Sequence, residues 1–136
     1  MHLSKPAFRL PVTIYYEDTD AGGVVYHSNY LKFFERARTE MLRERGICQR
    51  ELLEQSIGFV VRSMEIDFLK GARLDEHLHV LTHMTEQKKA SMVFCQELVN
   101  PDDEVLCRAI VRVACIDTKK MKPQGIPESM FSEKLL

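Results

Sequence analysis

Strand and helix patterns follow one another along this chain in an order that leaves few possible folds. Residues 8–17 alternate between apolar and polar side chains, which predicts a β-strand with one buried face. Four more strands are predicted after a helical region, over residues 59–69, 78–86, 92–99 and 105–117. Their short connections favour antiparallel pairing, because a parallel crossover needs about a dozen residues or more. The expected sheet is therefore antiparallel.

One long amphipathic helix is predicted between the first two strands. Its apolar residues recur at helical spacing and form a single stripe: Tyr30, Phe33, Phe34, Ala37 and Met41. Ser28 or Asn29 is expected to cap its start and Gly46 to end it, with a short helical stretch following over residues 49–55. We expect an α+β fold, a five-stranded antiparallel sheet wrapped around one long helix, as a single domain over residues 1–136.

Composition narrows the possible partners and location. The chain has 136 residues, 45% hydrophobic and 29% charged, with a formal net charge of -1. Dispersed Lys and Arg create no field that would gather nucleic acid or an anionic membrane. The first ten residues contain no apolar core for a signal peptide or a membrane span. We expect a cytoplasmic protein without a nucleic-acid partner or membrane insertion. The tail, residues 119–136, suggests only a short terminal helix.

Metal and disulfide chemistry are not predicted. The four cysteines are far apart and form no Cys-x-x-Cys pair: Cys48, Cys95, Cys107 and Cys115. Three histidines share one face of the predicted third strand without an acidic neighbour, which is typical of a half-exposed strand: His77, His79 and His83. A calcium loop starting at Asp18 would need ligands where this chain has Gly22 and Asn29. We expect no metal and no cofactor.

The densest polar cluster, Glu17-Asp18-Thr19-Asp20, lies between the first strand and the helix. We interpret Asp18 as a residue that orders the loop. Asp20 precedes the backbone amides of residues 22–27 and the positive end of the helix. Attack on a thioester carbonyl builds negative charge that such amides stabilise, while a carboxylate opposite acts as general base or as nucleophile. Asp20 is thus the predicted catalytic carboxylate, with its role left open between the two.

His27, next to the predicted cap, is the second catalytic candidate. It would act as a base or place its backbone N–H against the oxyanion. Gly23 and Tyr26, in the same loop, are predicted to contact substrate.

Basic residues elsewhere are candidates for substrate binding. Lys88, Lys89 and Ser91 form a turn that could hold a nucleotide phosphate, although surface lysines often serve solubility alone. Arg62 is unusual because its neighbours at the same pleat phase are apolar. It is expected to pair with a carboxylate or to line a binding site.

A family resemblance follows from these residues. The string Tyr-Tyr-Glu-Asp-Thr-Asp-Ala-Gly-Gly-Val-Val-Tyr-His-Ser-Asn-Tyr over residues 15–30, with Phe-Phe-Glu-Arg-Ala-Arg over residues 33–38, resembles the YbgC-type acyl-CoA thioesterases. These are relatives of 4-hydroxybenzoyl-CoA thioesterase encoded beside the Tol-Pal envelope genes. The resemblance implies the hotdog fold, Asp20 as catalytic carboxylate, an oxyanion held near His27, and tetramers built from dimers with the site at the dimer interface.

The resemblance also implies a substrate and alternatives. Lys88, Lys89 and Ser91 correspond to the turn that meets coenzyme A phosphates in the 4-hydroxybenzoyl relative, with Lys in place of Arg. Ala21 stands where that relative has Pro, so short- or medium-chain acyl-CoA is expected in preference to an aromatic acyl group. One alternative is a weakly catalytic binder of acyl carrier protein or of envelope and lipid-synthesis partners. Another is a dehydratase, for which Glu35 is the helix candidate.

Overall fold

The computed structural model describes residues 7–127, and in it an antiparallel sheet curls around one long helix. The elements in chain order are β1 (Phe8–Thr13), α1 (His27–Glu44), α2 (Gln49–Glu54), β2 (Ile57–Phe68), β3 (His77–Lys88), β4 (Ser91–Val99), β5 (Val105–Asp117) and the short β6 (Lys122–Pro123). The sheet order is β1-β3-β4-β5-β2, and β6 pairs with β5. The predicted hotdog fold is confirmed.

Helix α1 lies with its predicted apolar stripe against the sheet. All five stripe residues are buried, and so are Arg38 and Leu42. The helix ends as predicted: Gly46 has a φ of 86°, its N–H donates to the Arg43 carbonyl, and the N–H of Ile47 donates to the Leu42 carbonyl. These two hydrogen bonds together form a Schellman motif, which requires a residue in the left-handed conformation at the position of Gly46.

The predicted cap of α1 is wrong. The helix starts at His27 with Tyr26 as N-cap, and no side chain caps it. The Asn29 side chain instead donates to the backbone carbonyl of Asp18 at 2.8 Å, which braces the preceding loop against the helix. Asn29 is the third residue of the helix, and Asn side chains commonly bond backbone groups near a helix start.

Strand β1 is shorter than predicted. It ends at Thr13, and Tyr16, expected on the buried face, is 77% exposed. Ile14 is fully buried and exchanges backbone hydrogen bonds with Asp75 and Glu76, after which the chain leaves the sheet. A 3-10 turn over Tyr16–Asp18 follows. Apolar–polar alternation continues past Ile14 in the sequence, but the turn ends the pairing that would make it a strand.

One polar cluster interrupts the apolar core within residues 7–127. Gln96 on β4 is fully buried and donates to Thr82 Oγ1 at 3.0 Å and to the backbone carbonyl of Phe34 in α1 at 2.9 Å. Its amide oxygen accepts from Arg38 Nη1 at 3.0 Å. These contacts join helix to sheet. Burial also raises the pKa of Cys107 to about 12, so this thiol is a neutral part of the core.

Arg62 lies at a β-bulge, so the prediction that it shares one face of the strand with its apolar neighbours is wrong. Between β2 and β5 the register runs from Val61 opposite Val113 to Ser63 opposite Arg112, so Arg62 is the extra residue. The bulge reverses the alternation of β2, and Arg62 is exposed at the outer edge strand of the sheet. No side-chain hydrogen bond or ion pair joins Arg62 to another residue of the described part of the chain.

Several further observations bear on the predictions. The cysteines in the described range are free thiols, and among residues 7–127 no group of three His, Cys, Asp or Glu side chains is arranged to hold a metal. None of the helices within this range is long and apolar enough to cross a membrane. The predicted terminal helix falls partly on residues 128–136, which lie outside the described residues; residues 119–127 form a turn, β6 and an irregular segment.

Candidate active site

The acidic loop after β1 is held by its own backbone and by the segment before β3. The carboxylate of Asp18 accepts from the N–H of Tyr15 at 2.8 Å, and its carbonyl accepts from the N–H of Tyr26 at 3.1 Å. The N–H of Val25 donates to the Ala72 carbonyl at 2.8 Å. Asp18 therefore makes the loop-ordering contacts expected of it, and its carboxylate is occupied in doing so.

Asp20 has one carboxylate oxygen bound and one open. Oδ1 accepts from the N–H of Gly22 at 2.8 Å and, at 3.4 Å, from the N–H of Val24. Oδ2 has no hydrogen-bond partner among residues 7–127, and the side chain is exposed. Backbone donors that hold one oxygen fix the direction of the carboxylate. The second oxygen is left free to contact water or substrate.

The start of α1 presents open backbone donors a few residues further on. Within the described residues nothing accepts from the backbone N–H groups of His27 or Ser28. The first N–H groups of a helix have no acceptor inside the helix and carry its positive partial charge. Such donors suit an oxyanion, as the sequence predicted for this position.

Tyr30 anchors this helix start. Its buried hydroxyl accepts from the N–H of Ala72 at 3.0 Å, so α1 and the segment before β3 are joined where the acidic loop lies between them. Burial raises the pKa of Tyr30, and the hydroxyl remains protonated at neutral pH. The sequence indicated Tyr30 only as a member of the apolar stripe, since its hydrogen bond is made to a residue 42 positions away.

His27 contacts an aromatic residue that sequence reasoning missed. Its ring lies 4.7 Å from the ring of Phe68, measured between centroids, and Phe68 also meets Tyr30 edge-on at 5.4 Å. Phe68 is the last residue of β2 and is 45% exposed. An apolar residue at the end of a strand carries no signal of a site, so only the packing shows that Phe68 forms one wall beside the helix start.

Gly23 and Tyr26 lie in the same loop as Asp20. Gly23 has a φ of 78°, a conformation that glycine adopts without steric cost, and its carbonyl accepts from the N–H of Leu74 at 3.0 Å. Tyr26 is 59% exposed next to His27. The structure thus places four predicted site residues together at one end of the sheet: Asp20, Gly23, Tyr26 and His27.

The predicted phosphate-binding turn lies at the opposite end. Lys88 ends β3 and Ser91 begins β4, whereas the acidic loop packs beside residues just ahead of the start of β3. Strand β3 has 12 residues. At about 3.4 Å per residue it spans roughly 37 Å. Within one chain, Lys88, Lys89 and Ser91 therefore do not join the site that contains Asp20.

Comparison with known proteins agrees with this fold. The family model for the thioesterase-like superfamily matches residues 15–135. The acyl-CoA thioesterase YbgC of Haemophilus influenzae is 50% identical over 124 residues, covering 90% of each chain. The acyl-CoA thioester hydrolase YbgC of Escherichia coli O6:H1 is 48% identical over 126 residues, covering 93% of this chain and 94% of that one.

A solved structure shows the same architecture. The probable thioesterase of Bartonella henselae superposes with a TM-score of 0.81 at 35% identity, covering 88% of this chain and 98% of that one. A sheet that curls around one long helix is the hotdog architecture. The chain belongs to the thioesterase-like superfamily and, within it, to the YbgC-type acyl-CoA thioesterases. The resemblance stated from residues 15–38 is confirmed.

Proposed function

We propose that this protein hydrolyses short- or medium-chain acyl-CoA thioesters, releasing a carboxylic acid and free coenzyme A, with Asp20 as the catalytic carboxylate. The observation that supports the proposal is the hydrogen bonding of the Asp20 carboxylate. Its Oδ1 accepts from backbone N–H groups of the loop, whereas its Oδ2 has no partner among residues 7–127. It lies seven residues ahead of His27, the first residue of α1, and within residues 7–127 nothing accepts from the backbone N–H groups of His27 and Ser28.

The reaction requires a water molecule and one carboxylate. Oδ2 of Asp20 either removes a proton from water as it attacks the carbonyl carbon or attacks that carbon itself to form an anhydride. Charge that develops on the carbonyl oxygen is stabilised by the N–H groups of His27 and Ser28. The C–S bond then breaks, and the coenzyme A thiolate leaves and takes up a proton. When Asp20 acts as a base, water has already become part of the acid released. When Asp20 acts as a nucleophile, water then hydrolyses the anhydride, which releases the acid and restores the carboxylate. His27, with its side chain against Phe68, borders this position.

The test is thioester hydrolysis by the purified protein with acyl-CoA chains from acetyl to dodecanoyl, followed as released thiol. Asp20→Asn removes the proposed base or nucleophile but keeps an oxygen for the loop amides. We expect it to lose at least about 100-fold in kcat, the scale of removing a positioned catalytic group. Asp18→Asn is the matched control, since its carboxylate only accepts from a backbone N–H. Equal rates for Asp20→Asn and wild type would refute the role of Asp20.

A second copy of the chain is part of the proposal. Strand β2 is a 12-residue edge strand with exposed apolar side chains, among them Val60 at 41%, Val61 at 46% and Phe68 at 45%. A long apolar edge strand is a template for pairing with another chain. A dimer, or a tetramer of dimers, would also let Lys88, Lys89 and Ser91 of one copy meet coenzyme A phosphates at the Asp20 of another. Light scattering coupled to gel filtration measures the assembly, and Lys88→Ala with Lys89→Ala should raise KM for acyl-CoA.

Acyl carrier protein is a second candidate partner, favoured by one specific observation. The N–H of Ile126 donates to the Lys89 carbonyl and the N–H of Cys115 to that of Ala90, so the β3–β4 turn lies beside the turn between β5 and β6. Five lysines lie in or beside these two turns: Lys88, which pairs with Glu86, and Lys89, Lys119, Lys120 and Lys122. Such a patch suits an acidic carrier. Capture of acyl carrier protein with every acyl-CoA left intact would favour a binder over an enzyme.

The proposed setting is the cytoplasm, in phospholipid metabolism linked to the Tol-Pal envelope system. The four free thiols fit a reducing compartment. The link to the envelope rests on family resemblance. Deletion of the gene should change the acyl composition of phospholipids, and an unchanged composition would argue against this setting.

A further inference from the structure

A cavity of about 170 Å³ lies between the middle of α1 and the first half of β2, away from the acidic loop. We call it the Arg38 pocket. Its lining combines apolar residues, among them Phe59, Val61, Phe94 and Leu42, with the polar residues Glu35, Arg38, Thr39 and Gln49. Arg38 itself is buried, and a polar contact made to a buried group is stronger than the same contact in water.

Arg38 is an unusual group to find there. Arg38 is only 6% exposed. Among residues 7–127, Gln96 is its one hydrogen-bond partner. No carboxylate of the described chain lies within ion-pair distance of it. Burial lowers the pKa of Arg38. The negative charge of Glu35, one turn earlier in the helix, acts in the other direction and raises it, but by less. A guanidinium has five N–H donors, and a buried charge without an anionic partner is costly.

The pocket and the catalytic end of the molecule lie along the same edge. Phe68, at the end of β2, contacts His27 at the start of α1, while Phe59 and Val61, near the start of β2, line the pocket with Arg38. Strand β2 therefore runs beside α1 in the opposite direction. From His27 to Arg38 the helix rises by about 16 Å. An extended chain of about ten carbons covers roughly 11 Å of this distance, and the long side chain of Arg38 can reach over the rest.

We propose that the Arg38 pocket receives the far end of the acyl group and that Arg38 binds an oxygen atom carried there. The inference rests on the proposed thioester hydrolysis and names its substrate class: medium-chain acyl thioesters with a hydroxyl or other oxygen function near the distal carbon. A site built to hydrogen-bond such a group discriminates strongly against an analogue that lacks it, because its buried donors would be left unpaired. An unsubstituted chain would leave the guanidinium facing a methyl group.

The test compares two substrates of equal length, decanoyl-CoA and 10-hydroxydecanoyl-CoA. We expect wild type to prefer the hydroxylated substrate at least tenfold in kcat/KM. Arg38→Met, which keeps an unbranched apolar chain, should reduce this ratio to about one, and Arg38→Lys should retain part of it. Arg43→Met is the control, because Arg43 lies on the exposed face of the same helix and pairs with Glu40. Its ratio should stay as in wild type.

A binding experiment separates failure of this inference from failure of the proposed hydrolysis. The S-decyl and S-(10-hydroxydecyl) thioethers of coenzyme A cannot be hydrolysed, and calorimetry gives their Kd values whether or not the protein is an enzyme. At least tenfold tighter binding of the hydroxylated thioether, lost in Arg38→Met, supports the inference. Equal Kd values in wild type, or a preference that survives in Arg38→Met, overturn it.

The variants could also fail to fold or change the oligomeric state of the protein. If Arg38→Met does not fold, the double variant Arg38→Met, Gln96→Leu removes both buried partners together and is measured in its place. If the variants dissociate the assembly while the substrate preference is unchanged, the pocket is filled by a second copy of the chain and the inference is wrong.

Discussion

The hydroxyl of Tyr30 accepts a 3.0 Å hydrogen bond from the backbone N–H of Ala72, which ties the start of α1 to the segment that precedes β3. The acidic loop lies between these two elements: Val25 bonds the Ala72 carbonyl, and Asp20 follows the turn that begins at Tyr16. The direction of the Asp20 carboxylate relative to the helix start therefore depends on contacts outside the loop itself.

Tyr30→Phe should destabilise the protein. The substitution keeps the ring in the core but leaves the N–H of Ala72, a fully buried residue, without its acceptor. An orphaned buried donor costs about 1–3 kcal/mol in the free energy of unfolding. Urea denaturation measures this. Tyr15→Phe is the control, because Tyr15 is 61% exposed and should be unaffected. Equal midpoints for Tyr30→Phe and wild type would show that the bond contributes nothing.

Gly23→Ala should weaken both stability and activity. Apart from Gly23 and its two chain neighbours, no residue between 7 and 127 has an atom within 4 Å of where the Cβ would lie, so the cost comes from the φ of 78°. A left-handed conformation costs an alanine about 1–2 kcal/mol. Asn tolerates this region better than Ala does, so Gly23→Asn should recover part of the loss. Thermal unfolding and thioester hydrolysis of the two variants test this, and a more stable Ala variant would contradict it.

Gln96→Leu should be strongly destabilising. The change removes the one described acceptor of the Arg38 guanidinium and the donor to the Phe34 carbonyl. We expect a loss of about 3 kcal/mol in the free energy of unfolding, because a buried cation is left without its partner. Adding Arg38→Met should recover part of that loss. Additive losses in this double-mutant cycle would show that the two residues are not coupled.

The free energy of unfolding should decrease at acidic pH, in part because Asp117 becomes protonated. Its Oδ1 accepts from the N–H groups of Lys120 and Lys119, at 3.0 and 2.9 Å, and these bonds hold its pKa below the ordinary value of 3.8. The unfolded chain therefore takes up this proton first as the pH falls. The contribution is complete above the ordinary pKa and is lost as the pH drops through the lower, folded-state pKa.

Unfolding of wild type and Asp117→Asn at several pH values between 7 and about 3 checks this linkage. The variant should be less stable at neutral pH and should lose less stability on acidification. Parallel pH profiles for the two proteins would exclude Asp117 as a contributor to acid sensitivity.

Much of the fold could be predicted from residue patterns because it depends on local periodicity. The stripe from Tyr30 to Met41 indicates one buried face of α1, the short connections between the later strands indicate antiparallel pairing, and Gly46 marks the helix end. Prediction failed where a contact distant in sequence decides the local structure. Strand β1 stops at Thr13 because the chain turns after Ile14 bonds to Asp75 and Glu76.

The sequence by itself determined the order of the elements, the apolar face of α1 and the acidic loop ahead of it, since each depends on neighbouring residues. Only the tertiary structure decided that one oxygen of Asp20 is bound and the other open, and that Phe68 stands against His27. It also decided that Lys88 lies at the end of β3 opposite to Asp20, and that the β-bulge of β2 falls at Arg62. Spacing along a chain determines which face a side chain occupies, whereas the pairing of distant strands determines what that side chain meets.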